Sequence, residues 1–169
     1  MIRHIVLVGL PGSGKSTVGR EAARLLGTGF TDLDIVVAQA AGQSVAEIFA
    51  QSGEAEFRRL ERAAMAGALD APPHVVAPGA GWAAQPGNLE TALGARLIYL
   101  RVTPEVAAAR LPHDGARPLL AGGPALPRLR ELIAERETWY LRAGSIVEAS
   151  GPVEEVARLV AEAARRGGE

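Results

Sequence analysis

Residues 9–16 read Gly-Leu-Pro-Gly-Ser-Gly-Lys-Ser and match the pattern G-x-x-x-x-G-K-[ST]. The apolar run 5–8 comes directly before this pattern, and an amphipathic stretch, 18–26, follows it. A strand, a glycine turn and a helix start in this order form a P-loop, whose inward N–H groups and helix dipole bind a phosphate chain. In such a loop Lys15 reaches the β- and γ-phosphates, and the Ser16 hydroxyl is a ligand of Mg²⁺. The motif therefore predicts a nucleoside triphosphate site.

The size and composition of the chain favour a single domain. The 169 residues, 48% of them apolar, suffice for one hydrophobic core, so we expect residues 1–169 to form one domain. The net charge of −1 implies no bulk attraction to nucleic acid or to a membrane surface. The absence of cysteine excludes disulfides, thiolate zinc sites and a cysteine nucleophile. Without a signal-peptide pattern or an exposed apolar heptad stripe, we expect a monomer in the cytoplasm, where ATP is available.

Apolar runs of strand length alternate with longer helical patterns along the chain. The predicted strands are 4–8, 29–32, 74–77, 96–101 and 145–148. The predicted helices are 15–26, 34–41, 45–51, 54–69, 88–93, 104–110, 127–142 and 153–166. Ser44 and Glu47 form a capping box at the start of one helix. Thr103 is an N-cap before Pro104, and Pro127 is expected to open its helix as Pro104 does. The alternation predicts an α/β fold, with a parallel sheet and helices on both of its faces.

Residues 111–124 have neither a helical nor a strand period, and they contain three prolines and three glycines. A loop of this length in a compact domain is usually functional or disordered. In a phosphotransferase, a mobile loop that carries an arginine, here Arg117, suggests a lid that closes over ATP and excludes water. A plain surface loop is the alternative interpretation.

Two acidic residues, Asp32 and Asp34, lie at the end of the second predicted strand, whereas the run 74–77 is followed by Pro78 and small residues. Because residues two apart in an extended chain point the same way, the two carboxylates are expected to project together beside the P-loop. One could support the metal ion while the other handles an acceptor hydroxyl. Equally, Asp34 could serve only as the N-cap of the next helix.

A second charged pattern lies within the predicted helix 54–69. Glu54, Arg58 and Glu61 are spaced so that they share one helix face. An arginine held between two carboxylates has a set orientation, which suits bidentate capture of a substrate carboxylate. An ordinary solvated row of salt bridges has the same spacing, and on the spacing alone it is the favoured interpretation. Phe49 and Phe57 belong either to the core or to the wall of a small pocket.

Taken together, these residues resemble the shikimate kinase family over essentially the whole chain. The resemblance rests on the order and spacing of the motifs at 9–17, Asp32-x-Asp34, Gly53-Glu54-x-x-Phe57-Arg58-x-x-Glu61, 79–81, Ile98-Tyr99-Leu100, Arg117-Pro118-Leu119-Leu120 and Arg136-x-x-x-Tyr140. It implies a three-layer P-loop fold like that of nucleoside monophosphate kinases, with a five-stranded parallel sheet of order 2-3-1-4-5 and a mobile lid. It also implies transfer of the ATP γ-phosphate to the 3-hydroxyl of shikimate, in aromatic amino acid biosynthesis, with Mg²⁺ as cofactor.

The resemblance further implies roles for individual residues. Arg58 and Arg136 would clamp the shikimate carboxylate, and Asp34 would bind the ring hydroxyls and orient the attacking one. Arg117 would contact phosphate from the lid, and Arg110 would lie against adenine. The ATP-binding residues would be Gly12, Ser13, Gly14, Lys15, Ser16, Thr17, Arg110 and Arg117. The substrate-binding residues, around an acceptor-binding helical region at 34–61, would be Asp34, Arg58, Gly79, Ala80, Gly81 and Arg136. The metal ligands would be Ser16 and Asp32, and the catalytic residues Lys15, Asp34 and Arg117.

The chain departs from the family pattern at several positions around the expected site. Ala80 replaces the middle one of three glycines, which adds a methyl group and disfavours a positive φ angle there. Pro78 removes another N–H, and Ala38 stands where the family often has a glutamate that would orient Arg58. Trp82 is unexpected after the turn, and residues 149–152 lack the Asn-Arg pair usual beside adenine.

These departures leave two other functions open. One is a P-loop kinase for another small hydroxy acid, such as gluconate, which would use the same carboxylate clamp. The other is a nucleotide-binding regulatory protein that has lost transfer activity. The retained Lys15, Ser16, Asp34 and Arg117 argue against the regulatory protein, and Ala80 and the weak adenine motif argue mildly for it.

Overall fold

The computed structural model describes residues 3–112 and 124–166. Their strands are β1 (Ile5–Val8), β2 (Phe30–Asp32), β3 (Val75–Ala77), β4 (Arg96–Arg101) and β5 (Ser145–Glu148). Their helices are α1 (Lys15–Leu26), α2 (Leu33–Ala41), α3 (Val45–Asp70), α4 (Asn88–Thr91), α5 (Pro104–Arg110), α6 (Ala125–Tyr140) and α7 (Val153–Arg165), together with a 3-10 turn at Trp82–Ala84. Strands and helices alternate from β1 to α7, as the sequence predicts.

The five strands form one parallel sheet in the order β2-β3-β1-β4-β5. The central strand β1 pairs with β3 on one side and with β4 on the other. All four residues of β1 are buried, as expected for a strand covered by helices on both faces. Around the sheet α1 packs against α7, α2 against α3 and α5 against α6. The predicted five-stranded parallel sheet and its order are confirmed.

Most element boundaries lie within two residues of the prediction, and the differences have local causes. The capping box of Ser44 and Glu47 and the Thr103 N-cap are both present. The predicted helices 45–51 and 54–69 form the single element α3, which bends at Gly53, where φ is 81° and ψ is 172°. Pro127 does not open its helix, because α6 already begins at Ala125. A proline is still tolerated at the third helical position, since N–H groups of the first turn have no intrahelical acceptor.

The strand order arranges the loops along one edge of the sheet. The P-loop follows β1 at the centre. On one side Asp32 ends β2 and residues 78–81 follow β3, and on the other side residues 102–103 follow β4 and residues 149–152 follow β5. Because the strands are parallel, all of these loops gather at their carboxyl ends, where α/β sheets bind ligands.

Of the predicted lid, 111–124, only Leu111, Pro112 and Pro124 are among the described residues, so Arg117 lies outside them. In the described part of the chain, none of the helices alone has both the length and the apolar composition needed to cross a bilayer. Helices α2 and α3 satisfy that criterion only as a pair, across a bend of 88°.

Candidate active site

A cavity of about 770 Å³ lies at the carboxyl ends of the strands and joins the P-loop to the turn after β3. Its volume is in the usual range of small-molecule sites. The sequence-predicted residues that line it are Gly12, Gly14, Lys15, Ser16, Thr17, Asp32, Asp34, Arg58, Gly79, Ala80, Gly81, Arg110 and Arg136. Ser13 does not line it, because its side chain is buried within the P-loop. Phe49 and Phe57 form part of its wall, with ring centroids 4.8 Å apart.

The P-loop has the backbone conformation that its glycines predict. Gly12 and Gly14 have φ angles of 79° and 93°, which residues with a Cβ atom rarely adopt. A Cβ at Gly12 would also lie 2.5 Å from the Ala107 carbonyl oxygen in α5. The Lys15 ammonium donates to the carbonyl oxygens of Gly9 at 2.9 Å and Leu10 at 2.8 Å. The lysine side chain therefore lies folded along the loop.

Ser16 and Asp32 meet although sixteen positions separate them in the sequence. The Ser16 hydroxyl donates to Oδ2 of Asp32 at 2.5 Å, while Oδ1 of Asp32 accepts the N–H of Asp34 at 3.0 Å. Asp32 is thus the N-cap of α2, and the alternative that Asp34 serves as the cap is wrong. A hydroxyl and a carboxylate fit Mg²⁺, which usually takes one or two protein oxygens and completes its shell with phosphates and water. In residues 3–112 and 124–166, no three acidic or histidine side chains group into a metal cage of their own.

Arg58 is buried beside the cavity, with 5% of its surface exposed. Its Nη1 donates to Oε1 of Glu61 at 2.9 Å, and its Nη2 donates to Oε1 of Glu54 at 3.3 Å. Glu61 is fully buried, whereas the side chain of Glu54 is 51% exposed. The predicted shared face is present, but the solvated row of salt bridges is wrong for Arg58 and Glu61. The guanidinium is oriented by Glu61 from the protein interior, so the absent glutamate at position 38 is not needed to fix it.

Glu61 also fixes the turn after β3. Its Oε2 accepts the N–H of Gly79 at 3.0 Å while Oε1 binds Arg58, so one carboxylate joins the arginine to the turn. Burial raises the pKa of Glu61, the Arg58 guanidinium opposes this rise, and the nearby Asp34 carboxylate adds to it. The sequence places Glu61 beside Arg58 but does not reveal the bond to Gly79, which depends on tertiary packing.

The turn accommodates alanine at its middle position. The Trp82 N–H donates to the Gly79 carbonyl at 3.1 Å, which makes residues 79–82 a β-turn. Gly81 has φ −87° and ψ −6°, and among the described residues only glycines have positive φ, so Ala80 carries no such strain. A Cβ at Gly79 would lie 2.6 Å from Oε2 of Glu61, and one at Gly81 would overlap the Arg58 guanidinium. The flanking glycines are therefore required by their neighbours, whereas position 80 is not.

Arg136 reaches the same cavity from α6. It is buried, with 8% of its surface exposed, and its Nη1 makes no hydrogen bond within the described part of the chain. Four residues later Tyr140 is fully buried, and its hydroxyl donates to the Ala80 carbonyl at 2.6 Å. A buried guanidinium nitrogen without a protein partner indicates that an anion completes the site.

The opposite end of the cavity is formed after β4 and β5. Nη2 of Arg110 donates to the Gly151 carbonyl at 3.4 Å, so the arginine lies beside the turn that precedes α7. Ala149, Gly151, Pro152 and Val153 complete this rim. Its surface is mostly apolar apart from Arg110, in agreement with the missing Asn-Arg pair. Trp82, the other unexpected residue, is buried in the core and does not line the cavity.

The chain is similar to known proteins over the residues that form both ends of this cavity. Residues 11–165 match the family model described as shikimate kinase. The chain is 43% identical over 146 residues to the shikimate kinase of Mycobacterium avium, covering 86% of this chain and 83% of that protein. It is 45% identical over 160 residues to the shikimate kinase of Paracidovorax citrulli, covering 92% and 87%. The solved structure of the shikimate kinase from Acinetobacter baumannii in complex with shikimate superposes with a TM-score of 0.94 at 29% identity, covering 99% of this chain and 96% of that one.

Proposed function

Because the chain belongs to the shikimate kinase family, an ATP-dependent family that phosphorylates a hydroxyl group, we propose that its cavity binds ATP at the P-loop and shikimate at the turn after β3. The enzyme transfers the ATP γ-phosphate to the 3-hydroxyl of shikimate, a step of aromatic amino acid biosynthesis. The observation that carries the assignment of the acceptor site is a pair of buried arginines, Arg58 and Arg136, lining one cavity with Asp34. Two guanidinium groups and one carboxylate complement the single carboxylate and the three hydroxyls of shikimate.

The nucleotide end is assigned to the P-loop and the adenine rim. The N–H groups of residues 12–17 and the amino end of α1 hold the phosphates, and Lys15 exchanges its bonds with the Gly9 and Leu10 carbonyls for bonds with phosphate oxygens. Arg110 lies against adenine. Mg²⁺ would be held by the Ser16 hydroxyl and, directly or through water, by Asp32. When bound, the ion neutralises charge on the β- and γ-phosphate oxygens.

The acceptor end is assigned to three elements. Arg58 from α3 and Arg136 from α6 bind the carboxylate, and Asp34 from α2 accepts hydrogen bonds from the ring hydroxyls. The turn formed by Gly79, Ala80 and Gly81 packs against the ring. In this assignment the 3-hydroxyl lies between Asp34 and the γ-phosphate, and such positioning contributes strongly to rate when the transition state is loose.

The transfer itself needs little covalent assistance from the protein. The 3-hydroxyl oxygen forms a bond to the γ-phosphorus as the bond from that phosphorus to the β–γ bridging oxygen breaks. The hydroxyl proton leaves along its hydrogen bond to Asp34. Lys15 and the lid residue Arg117, which lies outside the described residues, supply positive charge to the transferred group. We propose that the partners are two small molecules, ATP and shikimate, and that the enzyme binds neither nucleic acid nor a membrane. We place the reaction in the cytoplasm, with a monomer as the catalytic unit.

The proposed function is tested by measuring ADP release from Mg-ATP with no acceptor and with shikimate, quinate or gluconate. We expect release that depends strongly on shikimate and only weakly on the other two acids, which share the carboxylate but present different hydroxyl patterns. A higher rate with gluconate than with shikimate would assign the site to another hydroxy acid. ATP binding without acceptor-dependent release would identify a nucleotide-binding protein that does not transfer phosphate.

The turn after β3 provides a matched pair of substitutions. Gly81→Ala is expected to raise the shikimate KM by about 10²-fold, because its Cβ overlaps the Arg58 guanidinium and displaces a substrate-positioning group. Ala80→Gly is expected to change that KM by no more than about fourfold, the equivalent of one methylene group. Steady-state kinetics at saturating ATP measures both. Equal effects of the two substitutions would contradict this account of the turn.

A further inference from the structure

We propose that the Tyr140 hydroxyl is a positioning group for the acceptor: it holds the peptide between Ala80 and Gly81 so that the Gly81 N–H is presented to shikimate. This inference rests on the proposed function for its substrate, but its geometric basis does not. Tyr140 does not line the cavity, so its hydroxyl acts on the acceptor through groups that do, namely the turn and the neighbouring Arg136.

Two buried side chains from distant parts of the sequence fix the turn. Glu61 from α3 accepts the Gly79 N–H at 3.0 Å, and Tyr140 from α6 donates to the Ala80 carbonyl at 2.6 Å. In a planar trans peptide, the carbonyl and the next N–H point in opposite directions. The described residues contain no cis peptide bonds, so the bond to Tyr140 directs the Gly81 N–H away from α6. Gly81 lines the cavity and Tyr140 does not, and on this basis we assign the Gly81 N–H to the acceptor side of the turn.

The same helix carries the second carboxylate-binding group. Arg136 and Tyr140 are four residues apart in α6 and therefore lie on one helix face. The hydroxyl of Tyr140 thus fixes the distance between the turn and Arg136, which would otherwise depend only on packing. Burial raises the pKa of Tyr140 to about 12, against the opposing effects of Arg136 and Arg58, so the hydroxyl remains a donor at neutral pH.

Tyr99, whose ring lies next to that of Tyr140, offers a matched control. The rings of Tyr99 and Tyr140 lie 5.2 Å apart between centroids, and both residues are fully buried. The Tyr99 hydroxyl, however, donates to Oε1 of Glu137 at 3.3 Å and not to the turn. Tyr140→Phe and Tyr99→Phe each remove one hydroxyl from the same ring pair, but only the first releases the Ala80 carbonyl.

The kinetic test compares these two variants. Tyr140→Phe is expected to raise the shikimate KM about tenfold, the equivalent of one hydrogen bond, with the ATP KM unchanged and a smaller change in kcat. Tyr99→Phe is expected to leave the shikimate KM unchanged. Replacement of Tyr140 by 4-aminophenylalanine, which restores a donor at the same position, is expected to recover the wild-type KM. The proposal is overturned if both phenylalanine variants raise the shikimate KM equally, or if Tyr140→Phe raises both KM values together.

A second measurement, on the ligand-free protein, is independent of the substrate. Amide hydrogen exchange at Trp82, whose N–H closes the turn on Gly79, is expected to accelerate in Tyr140→Phe and not in Tyr99→Phe. Unchanged exchange in Tyr140→Phe would overturn the role of the hydroxyl even if the enzyme is active. If the wild-type protein shows no shikimate-dependent ADP release but the two variants differ in exchange as expected, the proposed function is wrong. The role of the Tyr140 hydroxyl in holding the turn would still stand.

Discussion

Arg136→Met is expected to raise the shikimate KM by about 10²–10³-fold, because it removes one partner of a buried charge pair with the substrate carboxylate. The ATP KM is expected to stay unchanged, since the nucleotide binds at the other end of the cavity. The same substitution is not expected to lower the free energy of unfolding. Arg136 is 8% exposed and its Nη1 has no hydrogen-bond partner in the described part of the chain, so in the ligand-free protein its burial is a cost.

Arg58→Met is the matched comparison, because it removes the same charge from the same cavity. It is also expected to raise the shikimate KM, but here it leaves the buried carboxylate of Glu61 without its cation. The expected loss in the free energy of unfolding is about 3–5 kcal/mol, the usual cost of breaking a buried ion pair from one side. Steady-state kinetics and denaturant unfolding on both variants test the contrast, which equal stabilities would contradict.

The stability deficit of Arg58→Met is also expected to depend on pH. Burial already raises the pKa of Glu61, and without Arg58 that pKa is expected to rise further in the folded state. A carboxyl group with a raised folded pKa binds more protons when folded, so stability falls as the pH rises from the unfolded pKa of that group through its folded pKa. The stability deficit of Arg58→Met relative to wild type is therefore expected to be smaller at about pH 5 than at about pH 8.

The parts of the site that could be predicted from sequence are those set by local chain geometry. The P-loop follows from a strand, a glycine pattern and a helix start within 5–26, and its glycines have the backbone angles that the motif requires. The capping box at Ser44 and the N-cap at Thr103 follow from residues three positions apart. The strand order could not be derived from these local signals, and only the resemblance to a known family implied it.

The parts that could not be predicted depend on which distant segments pack together. Helical spacing placed Glu54, Arg58 and Glu61 on one face, but a solvated row and a buried pair have the same spacing. The turn after β3 decides between them, because the Gly79 N–H in that turn donates a hydrogen bond to the buried Glu61 carboxylate. Likewise, the bond between Tyr140 and Ala80 joins residues 60 positions apart. The expectation that Ala80 would disturb the turn assumed a positive φ angle at that position, which sequence alone could not exclude.

Asp34→Asn is expected to lower kcat by about 10²–10⁴-fold, the usual contribution of a group that orients or deprotonates an attacking hydroxyl. The amide keeps the size of the side chain but loses the charge and one acceptor oxygen, so the 3-hydroxyl is no longer held toward the γ-phosphate. The cap of α2 is expected to be kept, because the N–H of Asp34, not its carboxylate, completes it. Acceptor-dependent ADP release and thermal unfolding measure the two effects separately.

Glu54→Gln is the control for this substitution, since it also removes one negative charge beside the acceptor site. The side chain of Glu54 is 51% exposed and touches Arg58 rather than the cavity, so its loss is expected to change kcat by less than about threefold, as for a surface ion pair. A large loss in Asp34→Asn with little change in Glu54→Gln assigns the effect to the geometry of one acceptor group, not to the net charge of the site. Turnover of Asp34→Asn close to that of Glu54→Gln would remove Asp34 from the reaction, and the hydroxyl would then have to be oriented by the turn alone.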